Sequence, residues 1–142
     1  MKKIYFACSI SGGRGQAHVY PTIVRFIQAQ GMQVLSELFA DPTLNDGRMS
    51  SQAKTPKGIW RHDMKWVGEA DAIVAEVSQP SLGVGYEIAK AHEWHKPALA
   101  LYKSQPGKRL SAMIIGSPNV TVFEYQDVAE TEAAIKTFLQ RL

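Results

Sequence analysis

The segment DAIVAEV at residues 71–77 is apolar at nearly every position, so a strand built from it has no side suited to water. Such a strand belongs in the middle of a parallel sheet covered by helices on both faces, and it is read here as central. Strand-length apolar runs recur around it: KIYFACS at 3–9, QVLSELF at 33–39, PALALY at 97–102 and VTVFEY at 120–125. Segments of helical period separate them, the pattern that arises when right-handed helical crossovers join parallel strands. The fold class expected is therefore α/β: one domain over residues 1–142, a doubly wound five-stranded parallel sheet of flavodoxin/Rossmann-like order 2-1-3-4-5. With 45% hydrophobic and 20% charged residues the chain can fill one core, and it contains no internal repeat.

The first crossover helix carries the stripe Val19, Ile23, Phe26 and Ile27, and Gly31 stops it. Pro21 is tolerated only in a first helical turn, which favours a late start over a bend. A second helix is expected from about Lys57 to Glu69, a third to about Trp94, and a last one with Val128, Ile135, Phe138, Leu139 and Leu142 on one side. ADPTLNDGRMSSQAKTPKG (40–58) and KSQPGKRLSAMIIGSPN (103–119) read as polar connectors, the first long enough to be a lid or a disordered loop.

A net charge of +3 with dispersed Lys and Arg suits a small anionic ligand at least as well as nucleic acid. Cys8 is the sole cysteine, so no intrachain disulfide is possible, and no Cys/His spacing matches a zinc site. A reducing cytoplasm is the natural setting. The opening MKKIYFACSI is interrupted by Gly12, Gly13 and Arg14 and reads as a buried strand rather than a leader. No segment approaches the ~20 apolar residues that cross a membrane.

Three constellations carry chemistry. At the end of the first strand, SISGGRG supplies Ser9, Ile10, Ser11, Gly12, Gly13 and Arg14, where bare backbone and hydroxyls can meet a phosphate before a helix N-terminus. It is neither GxGxxG nor a Walker A sequence, and a tight turn without a ligand explains it too. After the third strand, SLGVGYE places Ser81 and Gly83 at a second helix start on the same sheet edge. Glu87 follows there, either as an acid favoured by the helix dipole or as a catalyst. On the helix around IWRHDMKW, Ile59, Trp60, Met64, Trp66, Val67 and Ala70 share an arc that also contains Asp63. An unpaired carboxylate on a buried face costs about 1–3 kcal/mol or more, so Asp63 needs a partner or a task. Tyr5 and the three tryptophans read as packing residues, and His62, His92 and His95 as solvated ones.

Two carboxylates near a phosphate cradle, without a metal motif, suit cleavage of a glycosidic bond, with one as nucleophile and the other as acid/base group. Applied to a nucleotide, Glu87 attacks C1′ opposite the base while the cradle holds the phosphate. Asp63 can orient Glu87 or the sugar hydroxyl, or protonate the leaving base and later activate water.

YFACSISGGR, RHDMKWVGEADAIVAEVSQPSLGVGYE and GKRLSAMI together resemble the 2′-deoxynucleoside 5′-phosphate N-hydrolases of the nucleoside 2-deoxyribosyltransferase-like superfamily. The resemblance implies hydrolysis of a 2′-deoxynucleoside 5′-monophosphate to free base and 2-deoxyribose 5-phosphate without a cofactor. It implies Glu87 as catalytic glutamate, Asp63 as its companion, Tyr5 as active-site tyrosine, and phosphate and sugar contacts at Ser9, Gly12, Gly13, Arg14, Ser81 and Gly83. It also implies a homodimer in which Ser111 and Met113 reach the neighbouring active site. Ser11 stands where the family commonly has arginine, and Leu38 where histidine is usual after the second strand. The competing readings are a nucleoside 2-deoxyribosyltransferase, a pyrimidine ribonucleoside 5′-monophosphate N-hydrolase, and a nucleotide sensor without turnover. The glycine loop followed by Glu87 also faintly resembles phosphoribohydrolases that release cytokinin bases.

Overall fold

The computed structural model describes residues 1–10, 13–43 and 55–142. Strands β1 (Lys3–Ala7), β2 (Gln33–Val34), β3 (Ala72–Glu76), β4 (Ala98–Lys103) and β5 (Val120–Tyr125) form one parallel sheet. Their order is β2-β1-β3-β4-β5, as the alternating pattern predicts, and every residue of β3 is buried. Helices α1 (Tyr20–Ala29), α2 (Pro56–Glu69), α3 (Leu82–Glu93), α4 (Ala112–Ile115) and α5 (Thr131–Leu139) complete the fold. α1 packs with α5 and α2 with α3, so the two pairs cover opposite faces. Successive strand residues project to opposite faces. Phe6 accordingly meets Tyr20 of α1 with ring centroids 5.7 Å apart, whereas the Tyr5 hydroxyl reaches Glu87 of α3.

Local chemistry sets the helix ends. A 3₁₀ turn at Ala17–Val19 delays α1 so that Pro21 falls in its first turn, and Gly31 ends the segment at φ +77. Thr55 caps α2 by accepting from the Gly58 N–H at 3.1 Å, and Ser81 caps α3 by accepting from the Val84 N–H at 3.3 Å. Asp127 and Glu130 form a capping box before α5, whose Ile135, Phe138 and Leu139 are buried.

Three expectations need correction. Strand 1 stops at Ala7 rather than Ser9. The second strand ends at Val34 rather than Phe39, because the Ser36 hydroxyl takes over the ladder: it donates to the Phe6 carbonyl and accepts from the Phe6 N–H, both at 2.8 Å. The chain then turns into a 3₁₀ segment, Glu37–Ala40. The connector 103–119 contains the short helix α4, capped by Ser111. The central part of the 40–58 connector, at 44–54, lies outside the described residues.

Candidate active site

The sheet order reverses between β1 and β3, and the segments leaving their carboxyl ends diverge to leave a crevice there. A cleft of about 340 Å³ occupies this position and is lined by Tyr5, Ile10, Asp63, Ser81, Gly83 and Glu87, together with Cys8 and Phe39. An adjoining cleft of about 340 Å³ shares Asp63, Gly83 and Glu87 and adds Trp60 and Tyr86.

Glu87 sits in the second turn of α3, facing β1, and the Tyr5 hydroxyl donates to its Oε1 at 2.8 Å. Burial pushes the Glu87 carboxyl up to about 8; the Tyr5 bond opposes that rise and the charge of Asp63 adds to it. Tyr5 is fully buried, and burial followed by the Glu87 and Asp63 charges raises its phenol well above the usual value. It therefore remains a donor. Asp63 is pushed up to about 6 by burial, opposed by His62, whose Nδ1 lies 3.7 Å from Asp63 Oδ1. Burial thus raises both carboxyls above the ordinary carboxylate range, Glu87 further than Asp63.

The cap on α3 leaves a defined set of free donors. Ser81 satisfies the Val84 N–H, and the Gly85 N–H bonds the Ser81 carbonyl at 3.2 Å. The N–H groups of Leu82 and Gly83, in the first helical turn, have no intrahelical acceptor. In the loop after β1, Gly13 adopts φ +117, and a Cβ there would stand 3.1 Å from Gln79 Nε2. The positive φ favours glycine there. Ser9 follows β1 fully buried, its hydroxyl without a partner among the described residues.

Tyr5, Ile10, Asp63, Ser81, Gly83 and Glu87 are brought together, with Ser9 and Gly13 in the loop beside them. Ser11 and Gly12 lie outside the described residues. Arg14 is spent on backbone: its guanidinium donates to the carbonyls of Ser9 at 3.2 Å, Phe39 at 3.2 Å and Asp41 at 2.5 Å, and lies over the Tyr20 ring. Ser111 and Met113 are exposed and line neither cleft. Leu38, in the 3₁₀ turn, is 46% exposed.

Sequence reasoning missed several neighbours. His62 is not merely solvated, since it pairs with Asp63 and its ring lies against that of Trp66, tilted by 55° with centroids 3.9 Å apart. Trp60 is not a core residue: it is 51% exposed, lines the second cleft and donates from Nε1 to the Tyr86 hydroxyl at 3.1 Å. Glu76 was also missed, although an acid inside a strand buried on both sides must itself be buried. It is fully so, and burial pushes it up to about 7 against the hydrogen bonds from Ser78. Among the described residues, no cluster of three or more His, Cys, Asp or Glu side chains is placed to hold a metal, and no helix is long and apolar enough to cross a membrane.

The sequence model of the nucleoside 2-deoxyribosyltransferase family matches residues 4–113. A Nematostella vectensis protein, provisionally named 2′-deoxynucleoside 5′-phosphate N-hydrolase 1, is 43% identical over 131 residues, 92% of this chain and 88% of the relative. The mouse 5-hydroxymethyl-dUMP N-hydrolase is 42% identical over 138 residues, 97% of this chain and 78% of the relative. Among solved structures, a CMP N-glycosidase from Clostridium botulinum superposes with a TM-score of 0.70 at 18% identity, covering 96% of this chain and 99% of that one. At that identity the likeness speaks for the fold.

Proposed function

Because this chain belongs to the nucleoside 2-deoxyribosyltransferase family, we propose that it hydrolyses the N-glycosidic bond of 2′-deoxynucleoside 5′-monophosphates, with Glu87 as the nucleophile. The observation that carries the proposal is the buried Tyr5–Glu87 hydrogen bond of 2.8 Å beside Asp63 in the switch-point cleft. Relatives named for this hydrolysis, at 42–43% identity over most of the chain, support the substrate class.

The 5′-phosphate lies against the free first-turn N–H groups of α3, the Ser81 cap and the Ser9–Arg14 loop, where a helix dipole favours an anion. Arg14 contributes by bracing that loop. Ionised Glu87 attacks C1′ as the bond to the base breaks with its electron pair. The departing base takes its proton from water, because Asp63, near 6, is already ionised wherever Glu87, near 8, is. Water, deprotonated by the same Asp63, then attacks C1′, freeing Glu87 and 2-deoxyribose 5-phosphate. Tyr5 holds Glu87 on the reacting side and stabilises its anion. The remote phosphate supplies binding energy that orients the anomeric carbon.

A homodimer forms part of the same reading. Leu82 is 95% exposed, Met113 81% and Ile115 58%, which is apolar surface in want of a cover, and Ser111 and Met113 would complete the neighbouring cleft. A reducing cytoplasmic setting agrees with the single cysteine, Cys8, whose buried thiol is pushed up to about 12 chiefly by burial.

The test is a panel of deoxy- and ribonucleoside 5′-monophosphates, including 5-hydroxymethyl-dUMP, beside the unphosphorylated nucleosides, with free base measured by chromatography. Base release from deoxynucleoside monophosphates alone is the expected result. Release from nucleosides only in the presence of an acceptor base would make the protein a transferase instead.

A further inference from the structure

Glu76 ends the central strand and has no task in the chemistry above. Ile73 is the register partner of Tyr5, so Glu76, three residues on, projects from the other face of the sheet. Its Oε1 accepts from the Ser78 N–H at 2.8 Å and from the Ser78 hydroxyl in a short hydrogen bond. Ser78 Oγ in turn accepts from the Lys103 N–H at the end of β4, at 2.7 Å. The carboxylate thus ties the first residues beyond β3 to the neighbouring strand. The next residue, Gln79, lies against the first loop: Cβ atoms built at Gly13 and Gly15 would stand 3.1 and 3.4 Å from its amide. Pro80 and the cap residue Ser81 follow directly.

We infer that Glu76, acting through Ser78, is a positioning residue for the substrate's phosphate: it fixes the 77–81 turn that presents Ser81 and Gly83 beside the Gly13 loop. The inference rests on the monophosphate reading given above. A backbone N–H and a hydroxyl must find acceptors together in a dry place, and one carboxylate oxygen has the lone pairs for both. Leaving these donors without Glu76 would free the turn to relax and spread the two loops. Glu87 lies farther along α3 and keeps its own anchor in Tyr5, so the effect falls on binding more than on turnover.

The experiment compares the full chain with Ser78→Ala, Glu76→Gln and Glu76→Leu. 2-Deoxyribose 5-phosphate is titrated into each by calorimetry, and kcat and KM are measured with a deoxynucleoside 5′-monophosphate. Ser78→Ala and Glu76→Leu should weaken sugar-phosphate binding about five- to tenfold and raise KM alike, with kcat held within about threefold. Glu76→Gln retains an acceptor for Ser78 and should stay near wild type. Unchanged binding in Ser78→Ala overturns the inference, as does Glu76→Gln binding no better than Glu76→Leu, or a loss of kcat with binding intact. Should Glu76→Leu fail to fold, the smaller Ser78→Ala change decides. A wild-type protein that binds no sugar phosphate refutes the monophosphate reading itself, whereas tight wild-type binding with unaffected variants refutes only the role of Glu76.

Discussion

Tyr5→Phe isolates the hydroxyl that touches Glu87. The ring stays, with its edge-on contact to Phe39 at 6.2 Å, and one 2.8 Å hydrogen bond is lost. A hydrogen bond to an ionised group contributes about 1.5–3 kcal/mol, and about 1.4 kcal/mol corresponds to one pH unit of titration. Tyr5 favours the Glu87 anion, so its loss should raise Glu87 by about 1–2 pH units beyond its position near 8. In the proposed mechanism Glu87 works ionised, so activity should be present above this titration and lost as pH falls through it. At pH 7, kcat/KM should therefore drop about 10- to 100-fold, while the gap to wild type narrows steadily as pH rises toward 10. The assay is base release from one deoxynucleoside monophosphate across pH 6 to 10, with the substrate's own phosphate titration common to both proteins. An acid limb that does not move, or a deficit equal at every pH, would refute the claim that Tyr5 acts through the ionisation of Glu87.

Glu87→Gln should keep sugar-phosphate binding yet lower turnover by about a thousandfold or more, measured as single-turnover base release. The same variant should show how burial of this acid affects folding. Native Glu87 holds its proton above the ordinary 4.5, so wild-type stability declines as pH rises from that value to about 8, and Glu87→Gln should escape the decline in urea unfolding at pH 5 and 8. Ser36→Ala strips the Phe6 N–H and carbonyl of their partner in a fully buried place, and should cost about 1–3 kcal/mol in the same assay. Gly13→Ala forces a Cβ onto φ +117 and toward Gln79; it should raise KM for the monophosphate and lower stability by about 1 kcal/mol or more.

Strand and helix identities were legible because their signals are local. DAIVAEV and VTVFEY declare strands by composition, and the Val19–Ile27 stripe declares a helix by its period. The sheet order followed from right-handed crossovers and chain length. β2 defeated this reasoning because Ser36 replaces ladder bonds with its side chain, and nothing local marks a serine that will meet Phe6 thirty residues away. Trp60 read as core for a related reason: the helical arc is wider than the surface α2 has available to bury, and Trp60 falls at its edge beside Tyr86.

By itself the sequence determined a parallel α/β sheet, two small-residue loops on one edge of it, and a short set of acids able to act there. These depend on residue spacing and backbone freedom, which the chain carries locally. The tertiary structure decided the surroundings of each acid. Tyr5 and Glu87 meet across 82 positions because β1 and α3 flank the switch point, and burial there drives Glu87 toward 8 while His62 tempers Asp63 near 6. Desolvation and long-range hydrogen bonds exist only once the chain is packed, so the Tyr5 partner and the raised proton affinity of Glu87 could not be read from its neighbours in the sequence.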